Sequence, residues 1–110
     1  FPGTADSLRS AALVLTQTHD LAGAVKMFEA SIALADDDYT RSQASVAYRH
    51  LGRFSEALEH AMRAEALNPG RVEHKLDAGM ALVKLGRYDE ALGRLRVAVA
   101  ETPESSVAWQ

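Results

Sequence analysis

Residues 51–58 read Leu51-Gly52-Arg53-Phe54-Ser55-Glu56-Ala57-Leu58, and residues 85–92 read Leu85-Gly86-Arg87-Tyr88-Asp89-Glu90-Ala91-Leu92. Six of the eight positions are identical, at an offset of 34 residues. The same offset joins Ala64 to Ala98 and Pro69 to Pro103. Three separate matches at one spacing define an internal repeat, and a period of roughly 20–50 residues is the mark of stacked supersecondary units. A weaker copy lies upstream. His19-Asp20-Leu21-Ala22-Gly23-Ala24-Val25 aligns if Leu21 stands for Phe54 and Ala24 for Ala57. The offset is then 33, with the missing residue falling in the Asp36-Asp37-Asp38 linker.

Punctuation divides each unit into two helices. Gly52 and Gly86 fall where a left-handed residue closes a helix C-terminus. Pro69 and Pro103 stop the second helices, and Asn68-Pro69-Gly70 is a turn signal. These marks predict helices over 5–17, 21–35, 38–50, 54–67, 72–85 and 88–101. Small residues recur where helices must approach: Ala57, Ala61, Ala64, Ala78, Gly79, Ala91 and Ala98. Large ones fill between them: Leu21, Phe28, Tyr48, Phe54, Leu58, Leu67, Leu82, Tyr88, Leu92 and Leu95. That alternation lets helices interdigitate at core density. Phe54 and Tyr88 open the second helices and read as inter-helix wedges. Glu59 with Arg63, and Glu90 with Arg94, have the spacing of i,i+4 surface pairs.

Composition agrees. The chain has 110 residues, 47% of them hydrophobic, enough for one core. Alanine, the best helix former, is abundant. A formal net charge of −3 carries no basic stripe for nucleic acid or a membrane surface. Without cysteine there is neither a disulfide scaffold nor a thiolate metal site. No apolar run approaches the roughly 20 residues of a membrane span, and no signal peptide is visible. The expected compartment is the cytoplasm, with the periplasm as the alternative.

These residues resemble the tetratricopeptide repeat family, with its period of about 34 residues, its Gly-x-Tyr/Phe-x-x-Ala turn and its closing Pro. The resemblance covers nearly the whole chain and implies a fragment of a longer bacterial repeat protein. The implied fold is all-α: a right-handed α-solenoid of three antiparallel helix–turn–helix units, six helices in all, with a short tail beginning a fourth. Residues 1–110 form one domain, with a degenerate repeat at 5–37, repeats at 38–71 and 72–105, and a further repeat or capping turn at 106–110. In the first unit His19 replaces the turn glycine, and Asp36 or Asp37 the closing proline. Trp109 stands where the family often places an aromatic in its first helix. Leu92, Leu95 and Val99 should then be partly uncovered unless Trp109 or another chain covers them.

In this family the first helix of each unit lines a concave face where peptide or helix ligands lie. The resemblance thus assigns Arg9, Leu13, Thr16, Tyr39, Ser42, Val46, Arg49, Leu76, Met80 and Val83 to a partner-binding groove; the alternatives are that some of them are inter-helix core, since a register shift of one residue swaps groove for core, or that the protein's own fourth repeat occupies the groove. The family's carboxylate clamp does not transfer. Arg9 fits the first basic place, but Leu13, Gln43, Glu73 and Asp77 stand where Asn, Asn, Lys and Arg are required, and two acids would repel a carboxylate. An apolar stripe flanked by Arg9, Arg49, Glu73 and Asp77 suits an amphipathic helix or apolar peptide.

No catalytic constellation is legible. No two of His19, His50, His60 and His74 have metal-ligand spacing on one helix face. His60 and Glu56, one turn apart, read as a solvent-side hydrogen bond. His74 and Asp77 share the same spacing, but no serine sits on a strained turn to complete a triad. The Asp36-Asp37-Asp38 run lacks the alternating ligands of a calcium loop and reads as a solvated linker with one Asp capping a helix. No catalytic residue, cofactor or metal is expected. The leading function is a scaffold or adaptor that binds a protein or peptide. The alternatives are an accessory segment of a larger enzyme, such as a glycosyl- or sulfotransferase, and a structural repeat that self-associates through its last helix.

Overall fold

In the computed structural model, which describes residues 4–100, the chain forms six α-helices. These are α1 (Ala5–Gln17), α2 (Leu21–Leu34), α3 (Asp38–His50), α4 (Phe54–Leu67), α5 (Val72–Lys84) and α6 (Tyr88–Ala100). Their ends fall within one residue of the sequence expectation, because Ala35 and Leu85 act as C-caps. Glu101, Pro103 and the expected fourth-unit start at 106–110, with Trp109, lie outside the described residues. Each helix packs on the next, and α3 also meets α5. The result is an all-α stack of three helical hairpins.

The turns explain why the hairpins form. After α3 the Gly52 N–H donates to Arg49 O and the Arg53 N–H to Tyr48 O, at 3.0 and 2.9 Å. After α5, Gly86 and Arg87 repeat both bonds on Val83 and Leu82. This paired closure needs a left-handed residue, and Gly52 and Gly86 have φ of 79° and 78°. The first hairpin uses the same closure with His19 in the glycine's seat, at φ 65°. The helix starts are capped in part by side chains. Thr4 and Ser7 form a capping box, Asp20 accepts from Gly23 N–H, and Asp37 accepts from Thr40 N–H.

The core follows the small-against-large rule. Ala57, Ala61, Ala64, Ala78, Ala91 and Ala98 are all buried. At the α3–α4 crossing the Ser45 hydroxyl donates to Ala57 O at 2.7 Å. At the α5–α6 crossing a Cβ on Gly79 would lie 2.7 Å from Leu95 Cδ2. Phe28, Tyr48, Leu58 and Leu82 fill the intervening space. Full burial of a side chain such as Phe28 or Leu82 contributes about 1.5–3 kcal/mol. Leu67 and Tyr88 depart from the expectation and are exposed, whereas the exposure of Leu92 is the one expected on the last helix. Phe54 is half-buried and has α5 beyond it, whereas no described helix lies beyond α6 to make Tyr88 a wedge.

Several polar groups also pair differently from their sequence spacing. Arg63 turns to Asp36 and Arg94 to Glu65, each crossing to another part of the stack rather than bridging one turn of its own helix. His60 is buried, not solvent-side. Its ring stacks on Tyr48 at 5.2 Å. Arg41 donates to His60 Nδ1 and the Nε2–H donates to Glu29, both at 3.1 Å, so the network assigns the tautomer. Glu29 also accepts from the Tyr48 hydroxyl at 2.6 Å. Burial pushes the Glu29 carboxyl up, but that bond, His60 and Arg41 together hold it below its ordinary value. Burial and the same carboxylate push the Tyr48 hydroxyl well above the usual phenol range. His74 turns from Asp77 to Asp38, 2.9 Å away. The three linker aspartates are thus all engaged: Asp36 with Arg41 and Arg63, Asp37 as a cap, and Asp38 with His74 and Asn68.

Candidate functional site

The first helices of the three hairpins, α1, α3 and α5, lie side by side and are laced together by polar contacts. Arg9 of α1 lies 3.5 Å from Asp37 and 3.0 Å from Asp6. Its guanidinium also sits 5.5 Å from the centroid of the Tyr39 ring on α3. Between α3 and α5 the Ser42 hydroxyl donates to Asp77 at 2.8 Å. Arg49 stands 3.9 Å from Asp77 and 3.5 Å from the Met80 sulfur. Apart from Arg9–Asp6, which lies within α1, each contact joins neighbouring units, so the face is a surface shared by all three.

The ten residues assigned from sequence all fall on these helices, and none is buried. Tyr39, Leu76, Met80 and Val83 are exposed. Arg9, Leu13, Thr16, Ser42, Val46 and Arg49 are half-buried. Leu13 also packs against the core, and the Thr16 hydroxyl donates back to Ala12 O at 2.9 Å, so these two serve the helix as well as the surface. Leu76, Met80 and Val83 are four and three residues apart on α5, which puts them on one helical face. Three large apolar side chains exposed on one face of a helix form the kind of patch that marks an interaction surface.

Asp77 is the organising residue that the ten omit. Burial pushes its carboxyl up, while the Ser42 hydroxyl and the Arg49 charge oppose that rise. It takes the contacts of both Ser42 and Arg49 across from α3. Its sequence signal was faint, since an Asp one residue after Leu76 reads as a flank until α3 is placed beside it. Among the described residues, no group of three or more His, Asp or Glu is placed to hold a metal ion. None of the described helices is long and apolar enough to cross a membrane. A cavity of about 420 Å³ is bounded by Glu65, Lys75, Glu90, Gly93, Arg94 and Val97, none of them among the ten, and another, of about 320 Å³, by Thr16, His19, Leu21 and His50.

Stacked helical hairpins that repeat every 34 residues and share one continuous face define a helical-repeat solenoid. The family model for the tetratricopeptide repeat matches residues 48–110, and the chain belongs to that family. No curated protein sequence matches it. Among solved structures it is similar to the TPR2B domain of yeast Sti1 in a pHsp70 complex, at 25% identity and TM-score 0.85, covering 91% of this chain and 81% of that one. The Arabidopsis OM64 TPR domain is similar at 21% identity and TM-score 0.86, over 91% and 84%. The second TPR domain of human RPAP3, in complex with an HSP70 peptide, is similar at 18% and 0.85, over 90% and 83%. The last two likenesses concern the fold alone.

Proposed function

We propose that this chain is a non-catalytic interaction module that holds a peptide or amphipathic helix along the α1–α3–α5 face. The observation that carries the reading is the exposed Leu76–Met80–Val83 stripe on that face, continued by half-buried Val46 on α3. An amphipathic partner would bury this stripe with apolar residues one helical turn apart. Met80 is unbranched and adapts to different partners. The similar Sti1 domain, solved in a pHsp70 complex, supports a polypeptide as the class of ligand.

The ligand is not an acidic C-terminal tail. Glu73 and Asp77 would meet it with like charge, and Arg49, the nearby cation, is already turned to Asp77. The test uses isothermal titration with amphipathic helical peptides and, separately, with an acidic tail peptide. Val46→Glu and Met80→Glu should each weaken binding of the amphipathic peptides at least tenfold, with helicity and melting temperature nearly unchanged. A large fall in melting temperature would make these residues core. Tighter binding of the acidic peptide than of any amphipathic one would overturn the charge argument.

A further inference from the structure

We infer that His19 and His50 together form a binding site for a divalent transition metal ion of the zinc class, at the turn end of the junction between the first two hairpins. The site shares only Thr16 with the face proposed to hold a peptide and does not depend on that reading.

The four histidines divide into two pairs by what their rings touch. His60 and His74 are buried, and each is held by a carboxylate on another helix, Glu29 and Asp38. Those two rings serve the fold. His19 and His50 are exposed, and among the described residues no hydrogen bond or ion pair engages either ring. The fold nevertheless brings these two to one place. With Thr16 and Leu21 they line a single cavity of about 320 Å³. His19 reaches it from the turn between α1 and α2, and His50 from the last residue of α3. Spacing along one helix could not show the pair, because its members come from different hairpins. Both hairpins wall the cavity, so it belongs to an internal junction of the stack.

His19 stands there against its own backbone preference. The other two units place Gly52 and Gly86 in this seat, at φ of 79° and 78°, whereas His19 adopts 65°. A Cβ disfavours the left-handed conformation, and strain of this kind collects where a side chain is used. The electrostatics then select a cation. Thr16 lies in the last turn of α1 and His50 ends α3, so the cavity sits at two helix C-termini with their partial negative charge. The arginines near His50 in sequence are engaged elsewhere: Arg49 stands by Asp77 and Met80, and Arg53 binds Glu56. Neutral imidazole is an ordinary ligand for zinc, nickel and copper, whereas calcium and magnesium take oxygen ligands. Two imidazoles leave the other coordination positions to water. An ion so held would tie the turn of the first hairpin to the end of α3.

The test is isothermal titration of the whole, tag-free chain with Zn2+ at neutral pH, beside His19→Gly and His50→Gln. The wild type should take up one ion per chain. Each variant should bind more than about tenfold more weakly, since losing a ligand costs more than losing a group that only orients one. His19→Gly relieves the turn, so its loss of binding cannot come from loss of fold. Zn2+ should raise the melting temperature of the wild type and of neither variant, because the ion binds the folded chain. In nuclear magnetic resonance spectra the ring signals of His19 and His50 should shift together on addition of Zn2+, while those of His60 and His74 stay in place. No uptake of Zn2+ by the wild type would overturn the inference. So would unchanged affinity in either variant, which would leave a single-histidine contact, or a shift confined to His60 and His74.

Discussion

Replacing Ala57 with Leu tests the helix crossing on which the stack depends. Ala57 is fully buried between α3 and α4, and its carbonyl accepts the Ser45 hydroxyl at 2.7 Å. That bond holds the α3 side chain against the α4 backbone and leaves no room for three more carbons. At core packing density the added volume must be met by shifted helices or off-rotamer side chains. Overpacking of this kind costs about 1–3 kcal/mol. In a domain of this size each 1 kcal/mol lowers the melting temperature by about 4–8 °C, so a fall of roughly 4–24 °C is expected in a circular dichroism melt. Ala66→Leu on the exposed face of the same helix is the control, with an expected change within about 0.5 kcal/mol. Equal melting temperatures for the two variants would refute the close crossing and the repeat alignment that placed it.

Three further outcomes follow from local geometry. His19→Gly should raise the urea midpoint with an unchanged slope, because glycine accepts the φ of 65°; the expected gain is about 1 kcal/mol. Gly79→Ala should destabilise through its approach of 2.7 Å to Leu95, and much less so beside Leu95→Ala; urea titration of the double-mutant cycle should give a coupling of about 0.5–3 kcal/mol, and strict additivity would rule out the contact. Acid should weaken the fold through Glu29, Asp36 and Asp38, whose carboxyls all lie below their ordinary values. Their contribution is full above the ordinary carboxylate range and is lost as pH falls through the lowered folded values. Asp36→Asn, which weakens the hold of Arg41 and Arg63, should therefore flatten the acid limb of a stability-against-pH profile, and an unchanged limb would count against that network.

The fate of the histidines shows why polar groups were harder to read than the repeat. One-turn spacing set His60 beside Glu56 and His74 beside Asp77, but each ring found its carboxylate on another helix, in Glu29 and Asp38. Arg63 and Arg94 left their own helix in the same way. Spacing along one helix gives proximity, whereas a long side chain at a helix junction is drawn to whichever carboxylate the junction brings near. Asp77 was likewise visible only as an acid at the groove's edge until α3 brought Ser42 and Arg49 to it.

The sequence by itself determined the six helices, their turns and the small residues at their crossings. Those features depend on backbone conformation and on side-chain volume at a fixed period, and both are written locally. His19 shows the limit of that local code: its seat is a glycine's, and only the φ of 65° shows that the first unit closes as the others do. Tertiary structure decided which side chains are covered. Val25, Leu58 and Leu92 occupy the same place in the repeat, yet two are buried and one is exposed. Burial is a property of the neighbouring helix, and the repeat does not state where its neighbours end.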